Sequence, residues 1–249
     1  MLTIDQVAAF DRDGFVLVEG MFSQEEADVL LKAVGEASRV DAHTFEARDV
    51  DGNVSKLSLW TDIGEDVFRA VSASPRIVNS MQILLRENVY HWHSKVILKE
   101  ATKGGAWEWH QDYGYWYHDG CPYPRMASAM LALDEATREN GCLKVMVGSH
   151  LLGRLEHGRE GTQQGAELQR LAALEDKLPI YYVEAKPGSV LFFHCNLLHA
   201  SEPNLSDRPR IAYLCCYNAF SNIPVIGKGH GKPVPITLSA DDAVLQFAE

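Results

Sequence analysis

The sequence predicts an α+β protein in which helices come first and an antiparallel β sandwich or barrel follows. Two helical segments with clear start signals lie in the first third of the chain. The later part consists of short alternating segments that are rich in aromatic and β-branched residues and are separated by turn signals, which favours a sheet structure. The chain has 249 residues, a length that β sandwiches and barrels often use as one unit. We therefore expect one domain over residues 1–249.

The N-terminal part, about residues 1–88, is predicted to be helical. Ser23 and Glu26 form a capping box, in which the serine oxygen accepts from the Glu26 amide and the glutamate reaches back. Ser74 and Pro75 mark a second start, because serine favours the N-cap and proline the first helical position. Apolar residues at helical spacing follow both signals. The two faces consist of Ala27, Leu30, Leu31 and Val34, and of Ile77, Val78, Met81, Leu84 and Leu85.

The β core is predicted to span about residues 89–220. Val89–Lys99 alternates and is rich in aromatic and β-branched residues, as strands are. Lys186–Ser189 and Pro203–Pro209 are turn clusters that separate later strands. The other predicted strands are Met126–Leu133, Cys142–Val147, Ile180–Glu184, Ser189–His194 and Arg210–Tyr217.

A polar, glycine-containing stretch at about residues 151–178 interrupts the strand pattern. We expect it to be an insertion on the β scaffold, with a helix around Ala166–Leu178. Long insertions in compact domains often cover binding sites. The insertion is therefore a candidate closing element.

Composition and charge exclude several classes of protein. Asp and Glu outnumber Lys and Arg by 34 to 23, which gives a net charge of −11. Neither nucleic acid nor a membrane surface is therefore an expected partner, and no apolar run approaches the ~20 residues of a membrane span. Met1–Asp5 has no basic flank or apolar stretch of the kind that signal peptides carry. The five cysteines include no Cys-x-x-Cys pair, which indicates neither a disulfide framework nor a zinc knuckle and favours a cytoplasmic location.

The clearest candidate for chemistry is the segment Trp107–Asp112. His110 and Asp112 are two residues apart, so on an extended strand both side chains point to the same face. An imidazole and a carboxylate placed in this way can bind one metal ion from one side. The pair alone is a weak signal, since His-x-Asp occurs in many proteins without a metal.

His199 offers a third ligand after a predicted apolar strand. Two imidazoles and one carboxylate on one side of an ion leave three coordination positions open, which is the facial triad of non-haem Fe(II) oxygenases. A chelating co-substrate can take two of these positions and O₂ the last. His194 is a weaker candidate, because in an alternating strand it would point away from the face of His199.

Arg210 is a candidate for binding the far carboxylate of a keto acid. The turn-rich segment before it predicts a hairpin that would bring Arg210 alongside the strand that bears His199. A guanidinium holds a carboxylate through two parallel charge-assisted hydrogen bonds. Ser201, two residues after His199, would donate one more. Arg208 is the weaker alternative, because the following Pro209 places it in the loop.

Together these segments resemble the phytanoyl-CoA dioxygenase family of Fe(II)/2-oxoglutarate-dependent oxygenases. The resemblance rests on Trp109-His-Gln-Asp112, on Asn140-Gly-Cys-Leu143 with Gly148-Ser-His150, and on His199-Ala-Ser201 with Arg210. The Phe10–Val16 region is also similar to the opening of that family.

The resemblance implies a double-stranded β-helix, or cupin-like jelly roll, with the N-terminal helices packed on one sheet. It further implies Fe(II) bound by His110, Asp112 and His199, with 2-oxoglutarate held by Arg210 and Ser201 and with O₂ as the second co-substrate. Relatives often have a tryptophan near the co-substrate where this chain reads Met126-Ala-Ser-Ala129. We therefore expect Ser128 to line that pocket.

Strand Val89–Lys99 carries further candidates. His91 and His93 are two residues apart and could form a rival metal pair, but no carboxylate lies in register beside them, so we expect this face to border the pocket. Lys95, on the same face, and Lys99 are candidates for binding a carboxylate of the co-substrate or substrate. Solvated or salt-bridged lysines are the ordinary alternative.

Aromatic residues cluster around the predicted metal pair, and they have two interpretations. They are either core and loop packing, or the wall of a substrate pocket that suits an apolar or an alkylammonium-type cationic molecule. The candidates for substrate contact are Trp109, Tyr113, Tyr115 and Trp116.

The sequence therefore predicts an Fe(II)- and 2-oxoglutarate-dependent dioxygenase that hydroxylates a small molecule and releases succinate and CO₂. A zinc-dependent hydrolase or lyase on a cupin-like barrel is the alternative, because zinc sites with two histidines and one carboxylate exist. Neither the substrate nor the oligomeric state follows from the sequence.

Overall fold

Two antiparallel sheets form the centre of the computed structural model, which describes residues 1–36, 38–160, 163–226 and 232–248. The strands are β1 (Phe15–Val18), β2 (Thr44–Arg48), β3 (Val54–Trp60), β4 (Val89–Lys99), β5 (Trp107–His110), β6 (Met126–Ala132), β7 (Leu143–Met146), β8 (His157–Glu160), β9 (Gln163–Ala166), β10 (Ile180–Val183), β11 (Val190–His194), β12 (His199–Ser201) and β13 (Arg210–Ala219). The helices are α1 (Ile4–Asp13), α2 (Gln24–Glu36), α3 (Ser38–Ala42), α4 (Val67–Ser72), α5 (Pro75–Leu85), α6 (Asp112–Trp116) and α7 (Leu168–Glu175).

The strands are arranged as a jelly roll. In the part of the chain that the structure describes, seven strands form a larger sheet in the order β1-β11-β6-β13-β4-β3-β2, and four form a smaller sheet in the order β10-β7-β12-β5. Leu143 and Val145 of the smaller sheet share an apolar cluster with Leu191 and Leu214 of the larger one. This confirms the predicted α+β fold with a double-stranded β-helix core.

The N-terminal helices cover the outer face of the larger sheet, as predicted. Alternate residues of a strand point to opposite faces, so β13 sends Tyr213, Cys215 and Tyr217 outward while Leu214 points to the interior. The outward residues share one buried cluster with helix residues, among them Phe10, Leu30, Phe68, Ile77 and Met81.

The predicted helix starts are confirmed by their hydrogen bonds. The Ser23 amide donates to Glu26 over 2.7 Å, and the Glu26 amide donates to Ser23 Oγ over 3.1 Å. Ser74 Oγ accepts from the Arg76 amide over 3.2 Å at the start of α5. These bonds satisfy amides that have no partner inside a helix, so they fix where α2 and α5 begin.

Three strands in the N-terminal part were missed by the sequence analysis. β1 pairs with β11, and the hairpin of β2 and β3 extends the larger sheet from β4. β1 has four residues and β2 has an almost fully exposed pattern. β1 and β2 are too short to carry much periodicity, and the burial of the seven-residue β3 does not alternate strictly, so pairing with other strands decides their conformation.

The predicted insertion contains the hairpin β8–β9 and helix α7, which agrees with the helix expected near Ala166–Leu178. Residues 161 and 162, which lie between β8 and β9 in the sequence, are outside the described residues. Among the helices that the structure describes, none is long and apolar enough to cross a bilayer.

His194 joins the end of β11 to the N-terminal helix. Its ring centroid lies 5.5 Å from that of His150 and 6.3 Å from that of Phe10, and its Nδ1 accepts from the Asn196 amide over 3.0 Å. Burial lowers the pKa of His194 from 6.5 to about 4, and the nearby His150 acts in the same direction. The folded protein therefore resists protonation of this ring.

We predict that His194 contributes to a loss of stability in mild acid. Because the folded pKa is depressed, the contribution is complete above the unfolded pKa of 6.5 and is lost as the pH falls toward 4. Denaturant unfolding at pH 7 and pH 5 should show a smaller decrease in the free energy of unfolding for His194→Gln than for the unsubstituted protein. His150→Gln provides a comparison, because the pKa of His150 is also lowered by burial. Equal decreases for His194→Gln and the unsubstituted protein would contradict the assignment.

Candidate metal centre and co-substrate pocket

Pairing of β5 with β12 brings the predicted metal ligands together. His199 lies opposite His110, and Ser201 lies opposite Trp107, so β5 contains one extra residue at a bulge. A bulge shifts the alternation of side chains. It therefore places Trp107 and His110, three residues apart, on the face that His199 and Ser201 share.

Three donor groups converge at this pairing. The candidate ligand atoms of His110, Asp112 and His199 all lie within 4.8 Å of one another, and all three residues are buried. Of the residues that the structure describes, these are the only group of three or more His, Cys, Asp or Glu side chains placed in this way. The two imidazole centroids are 4.1 Å apart, which suits two ligands of one ion.

Asp112 differs from the prediction in its backbone. β5 ends at His110, and Asp112 is the first residue of helix α6, so the two ligands do not share one extended strand as the sequence analysis assumed. The turn from strand to helix at Gln111 directs the carboxylate toward the imidazoles. The two-residue spacing does bring His110 and Asp112 together, but through a turn from strand to helix and not along one extended strand.

The imidazoles are held in the form that binds a metal. Nδ1 of His110 lies 2.7 Å from the Glu108 carbonyl oxygen, and Nδ1 of His199 lies 2.9 Å from that of Leu197. A carbonyl oxygen only accepts, so each Nδ1 donates and each Nε2 keeps its lone pair. Burial lowers the pKa of both rings, which keeps them neutral at physiological pH.

The Asp112 carboxylate is held ionised. Burial alone would raise its pKa, but nearby positive charge, that of Lys95 first, and the Ser128 hydroxyl leave the pKa lowered. Lys95 Nζ lies 3.8 Å from Oδ1, and Ser128 Oγ donates to Oδ2 over 3.0 Å. Two neutral imidazoles and a carboxylate form a donor set that fits ferrous iron.

Ser128 contacts the candidate ligand Asp112, which the sequence analysis did not predict. It was expected to line the co-substrate pocket, but its hydroxyl contacts Asp112 and the Cys216 thiol, and the residue is fully buried. Its contacts hold a candidate ligand in place.

Two chambers meet at the metal centre. The inner chamber, of about 40 Å³, is lined by Lys99, Ser201 and Arg210 together with His110 and His199. The outer chamber, of about 460 Å³, contains Asp112. Both chambers are lined by Lys95, Trp107, His110 and Leu57, which form the boundary between them.

Arg210 reaches the inner chamber from the opposite sheet. β12 and β13 belong to different sheets, so the hairpin that the sequence predicted between them is wrong, and the connecting loop leads from one sheet to the other instead. Nη2 of Arg210 donates to the Gly141 carbonyl over 3.0 Å. Its buried Nε has no hydrogen-bond partner among the described residues. A buried donor without a partner is costly, and a bound carboxylate would satisfy it.

Lys99 is a second buried cation beside Arg210. It lies opposite Arg210 in the β4–β13 pairing, is 1% exposed, and donates to the Glu202 carbonyl. Burial lowers its pKa well below the usual range, and the Arg210 charge acts in the same direction. The negative charge of a dianionic ligand in the inner chamber would offset both the cost of burying the Lys99 ammonium and its repulsion by Arg210.

His91 and His93 do not form a rival metal pair. The β4–β13 register shifts between them, and this irregularity places the rings in different cavities. His91 packs against Tyr217 on the outer side of the sheet. His93 lines the outer chamber next to Trp116, with ring centroids 5.7 Å apart.

The four aromatic candidates for substrate contact divide into two pairs. Tyr115 and Trp116 line the outer chamber. Trp109 and Tyr113 are not among the residues that line it, since Trp109 lies in a separate cluster with Leu198, and the Tyr113 hydroxyl donates to the Cys121 carbonyl over 3.0 Å. The bulge in β5 explains why Trp107, and not Trp109, lines the outer chamber. It turns Trp107 toward the chamber and Trp109 away from it.

Several residues of this region carried no sequence signal. Glu46 and Asp119 line the outer chamber but lie far apart in the chain without a motif. Gln163 reaches from the insertion, where its side chain accepts from the Glu108 amide and donates to the Ala106 carbonyl, each over 3.0 Å. Only the three-dimensional fold brings these side chains to the centre.

Comparison with known proteins gives a consistent result. The profile of the phytanoyl-CoA dioxygenase family matches residues 10–212. An ectoine dioxygenase of Sphingopyxis alaskensis is 31% identical over 92% of this chain and 80% of its own length. An L-proline trans-4-hydroxylase of Streptomyces griseoviridis is 28% identical over 96% of this chain and 93% of its own.

Solved structures agree with this result. The structure of EctD from S. alaskensis with bound Fe superimposes with a TM-score of 0.79 at 28% identity and covers 96% of this chain and 87% of that one. The structure of the same protein with 2-oxoglutarate and 5-hydroxyectoine gives a TM-score of 0.75 at 31% identity, over 94% and 81% of the two chains.

We predict that Ser128→Ala weakens metal binding by about tenfold, because residues that hydrogen-bond to a ligand typically contribute that much. Removing the hydroxyl takes one donor from Asp112 and raises the pKa of its carboxyl. Titration of the metal-free protein with Co(II) measures the change. Cys216→Ala is the control, since it removes the other partner of the same hydroxyl. Equal Co(II) affinity in Ser128→Ala and the unsubstituted protein would contradict the prediction.

Proposed function

This chain belongs to the phytanoyl-CoA dioxygenase family, and from that premise we propose which of its residues carry the reaction and which class of substrate it takes. The resemblance seen in the motifs is thereby confirmed. The chain is a non-haem Fe(II)- and 2-oxoglutarate-dependent dioxygenase that hydroxylates a small molecule.

His110, Asp112 and His199 would hold the iron. The observation that carries this proposal is the convergence of their three donor atoms within 4.8 Å in a buried site. Bound Fe(II) supplies the centre at which 2-oxoglutarate and O₂ react to give succinate, CO₂ and the oxidant that hydroxylates the substrate. The chain itself keeps both imidazoles neutral and holds the carboxylate ionised.

Arg210, Lys99 and Ser201 would hold the far carboxylate of 2-oxoglutarate in the inner chamber. The support is the buried Arg210 Nε without a protein partner and the second cation opposite it. A guanidinium binds a carboxylate through two parallel bonds and so fixes its direction as well as its position. The keto acid end would then point past Lys95 toward the iron ligands.

The outer chamber would take a small zwitterion of the amino-acid type. It combines a cationic residue at the inner end, Lys95, with two acidic residues, Glu46 and Asp119. Aromatic faces of Tyr115 and Trp116 suit a cationic nitrogen. The relatives named for ectoine and L-proline support this class, because both compounds carry a carboxylate and a cationic ring nitrogen.

We place the enzyme in the cytoplasm. All five cysteines are buried free thiols, and Fe(II) is stable in a reducing compartment. The support is compositional, since disulfides are rare in that compartment.

Substitutions should separate iron binding from co-substrate binding. His199→Ala and Asp112→Ala are expected to abolish iron retention in equilibrium dialysis. Arg210→Lys should retain iron but require about tenfold more 2-oxoglutarate for half-maximal succinate release, because an ammonium cannot form the two parallel bonds. Arg208→Lys is the control, since that side chain is 56% exposed and binds Glu135. Succinate release that survives His199→Ala would contradict the metal site, and an unchanged requirement in Arg210→Lys would remove that residue from its role.

The substrate class can be tested by substrate-dependent succinate release. A panel of zwitterions including L-proline and ectoine should stimulate the enzyme, whereas a quaternary amine without a carboxylate and a coenzyme A ester should not. Asp119→Asn should raise KM for the active zwitterion by about tenfold, because a nearby opposite charge is lost. The exposed Asp176→Asn serves as control. Stimulation by the coenzyme A ester alone would contradict the proposed class.

A further inference from the structure

Gln111 lies between two candidate iron ligands, yet its side chain points away from both chambers and is fully buried. Its Nε2 donates to the carbonyl oxygens of Gly153 and Asn196, each over 2.8 Å. Its Oε1 accepts from the Leu155 amide over 2.7 Å. Both donors and the acceptor of the amide are thus engaged, which is the arrangement that makes a buried amide specific for one geometry.

His157 holds the backbone of the same residue. Its Nε2 accepts from the Gln111 amide over 2.9 Å, and its Nδ1 donates to the Leu155 carbonyl over 2.9 Å. The ring occupies the space beside Gly114, where an added Cβ would lie 2.4 Å from ring atoms. Glycine at 114 therefore allows the imidazole to reach Gln111.

These contacts connect three separate segments of the chain. Gln111 itself joins β5 to α6, and so lies between His110 and Asp112. Asn196 belongs to the turn that precedes His199. In the same turn, the Cys195 carbonyl accepts a hydrogen bond from the Tyr113 amide over 3.0 Å. The third segment is 153–157, the beginning of the insertion. The Gln111 side chain therefore links the segment that carries His110 and Asp112 to the turn before His199.

We infer that Gln111 and His157 are positioning residues that set the separation of the iron ligands, so that metal binding is coupled to the seating of segment 153–157. The inference rests on the proposed function of the three ligands. It also gives the start of the insertion a structural role at the metal centre, in addition to any role in covering the substrate.

The coupling has a physical reason. Without the Gln111 amide, the buried Asn196 carbonyl and Leu155 amide and the partly buried Gly153 carbonyl would each lose this hydrogen bond. The chain would relieve this by admitting water or by moving the segments apart. Either change alters the distance from His199 to the other two ligands, and a metal site tolerates only small changes in that distance.

Metal affinity measured with Co(II) on the metal-free protein tests the inference. Gln111→Met, which keeps the side-chain length but forms none of the three bonds, should lower Co(II) affinity by about tenfold or more and change the visible Co(II) spectrum. Gly114→Ala and His157→Ala should each weaken binding. Their effects should not add in the double variant, because both act through the same imidazole. The glycine variant keeps the test available if Gln111→Met does not fold.

Amide hydrogen exchange gives a second readout, which reports on segment 153–157 rather than on the Co(II) spectrum. In the unsubstituted protein, Co(II) should slow exchange of the Leu155 amide, because binding and seating are linked reciprocally. In Gln111→Met, Co(II) should leave the exchange rate of that amide unchanged.

Asn218→Leu is the matched control, since Asn218 is also fully buried and bonds to Tyr90 and Asn222. It should lower the melting temperature without changing Co(II) affinity. If Gln111→Met binds Co(II) like the unsubstituted protein while His199→Ala does not, the positioning role is overturned. Additive effects of Gly114→Ala and His157→Ala would also overturn it. If His199→Ala binds Co(II) normally, the proposed iron site itself fails.

Discussion

The pairing of two short strands, β5 and β12, is the constraint on which the rest of the site depends. Its bulge turns His110 and Trp107 to the face that carries His199 and Ser201. With regular alternation, one of the two β5 residues would point into the packed cluster that contains Trp109. One irregular pair in a short ladder thus determines which imidazoles can meet and which aromatic ring borders the chamber.

The charges around the inner chamber are opposite in sign to the net charge of the chain. The chain has a net charge of −11, but Lys95, Lys99 and Arg210 gather around the inner chamber. Removing cations from water is costly without a counter-charge, and the lowered pKa of Lys99 and Arg210 expresses that cost. A dianionic co-substrate would supply the missing charge, so its binding is expected to stabilise the core as well as to start the reaction.

The sequence predicted those features that depend on local patterns. Capping signals located α2 and α5, and alternation located β4 to its end residues. The ligand set followed from residue types and from the family resemblance. Features set by pairing between distant segments could not be predicted in this way. The bulge that exchanges Trp107 for Trp109, the helical start at Asp112 and the contact of His157 with Gln111 all depend on register and on tertiary packing.

Anaerobic addition of 2-oxoglutarate to the Fe(II)-loaded protein tests the central claim most directly. Three ligands on one face leave adjacent positions at which the keto acid can chelate iron, and chelation produces a visible charge-transfer absorption band. We predict that this band forms with the unsubstituted protein and is absent with His199→Ala. A protein that retains Fe(II) but shows no band with 2-oxoglutarate would contradict the facial arrangement.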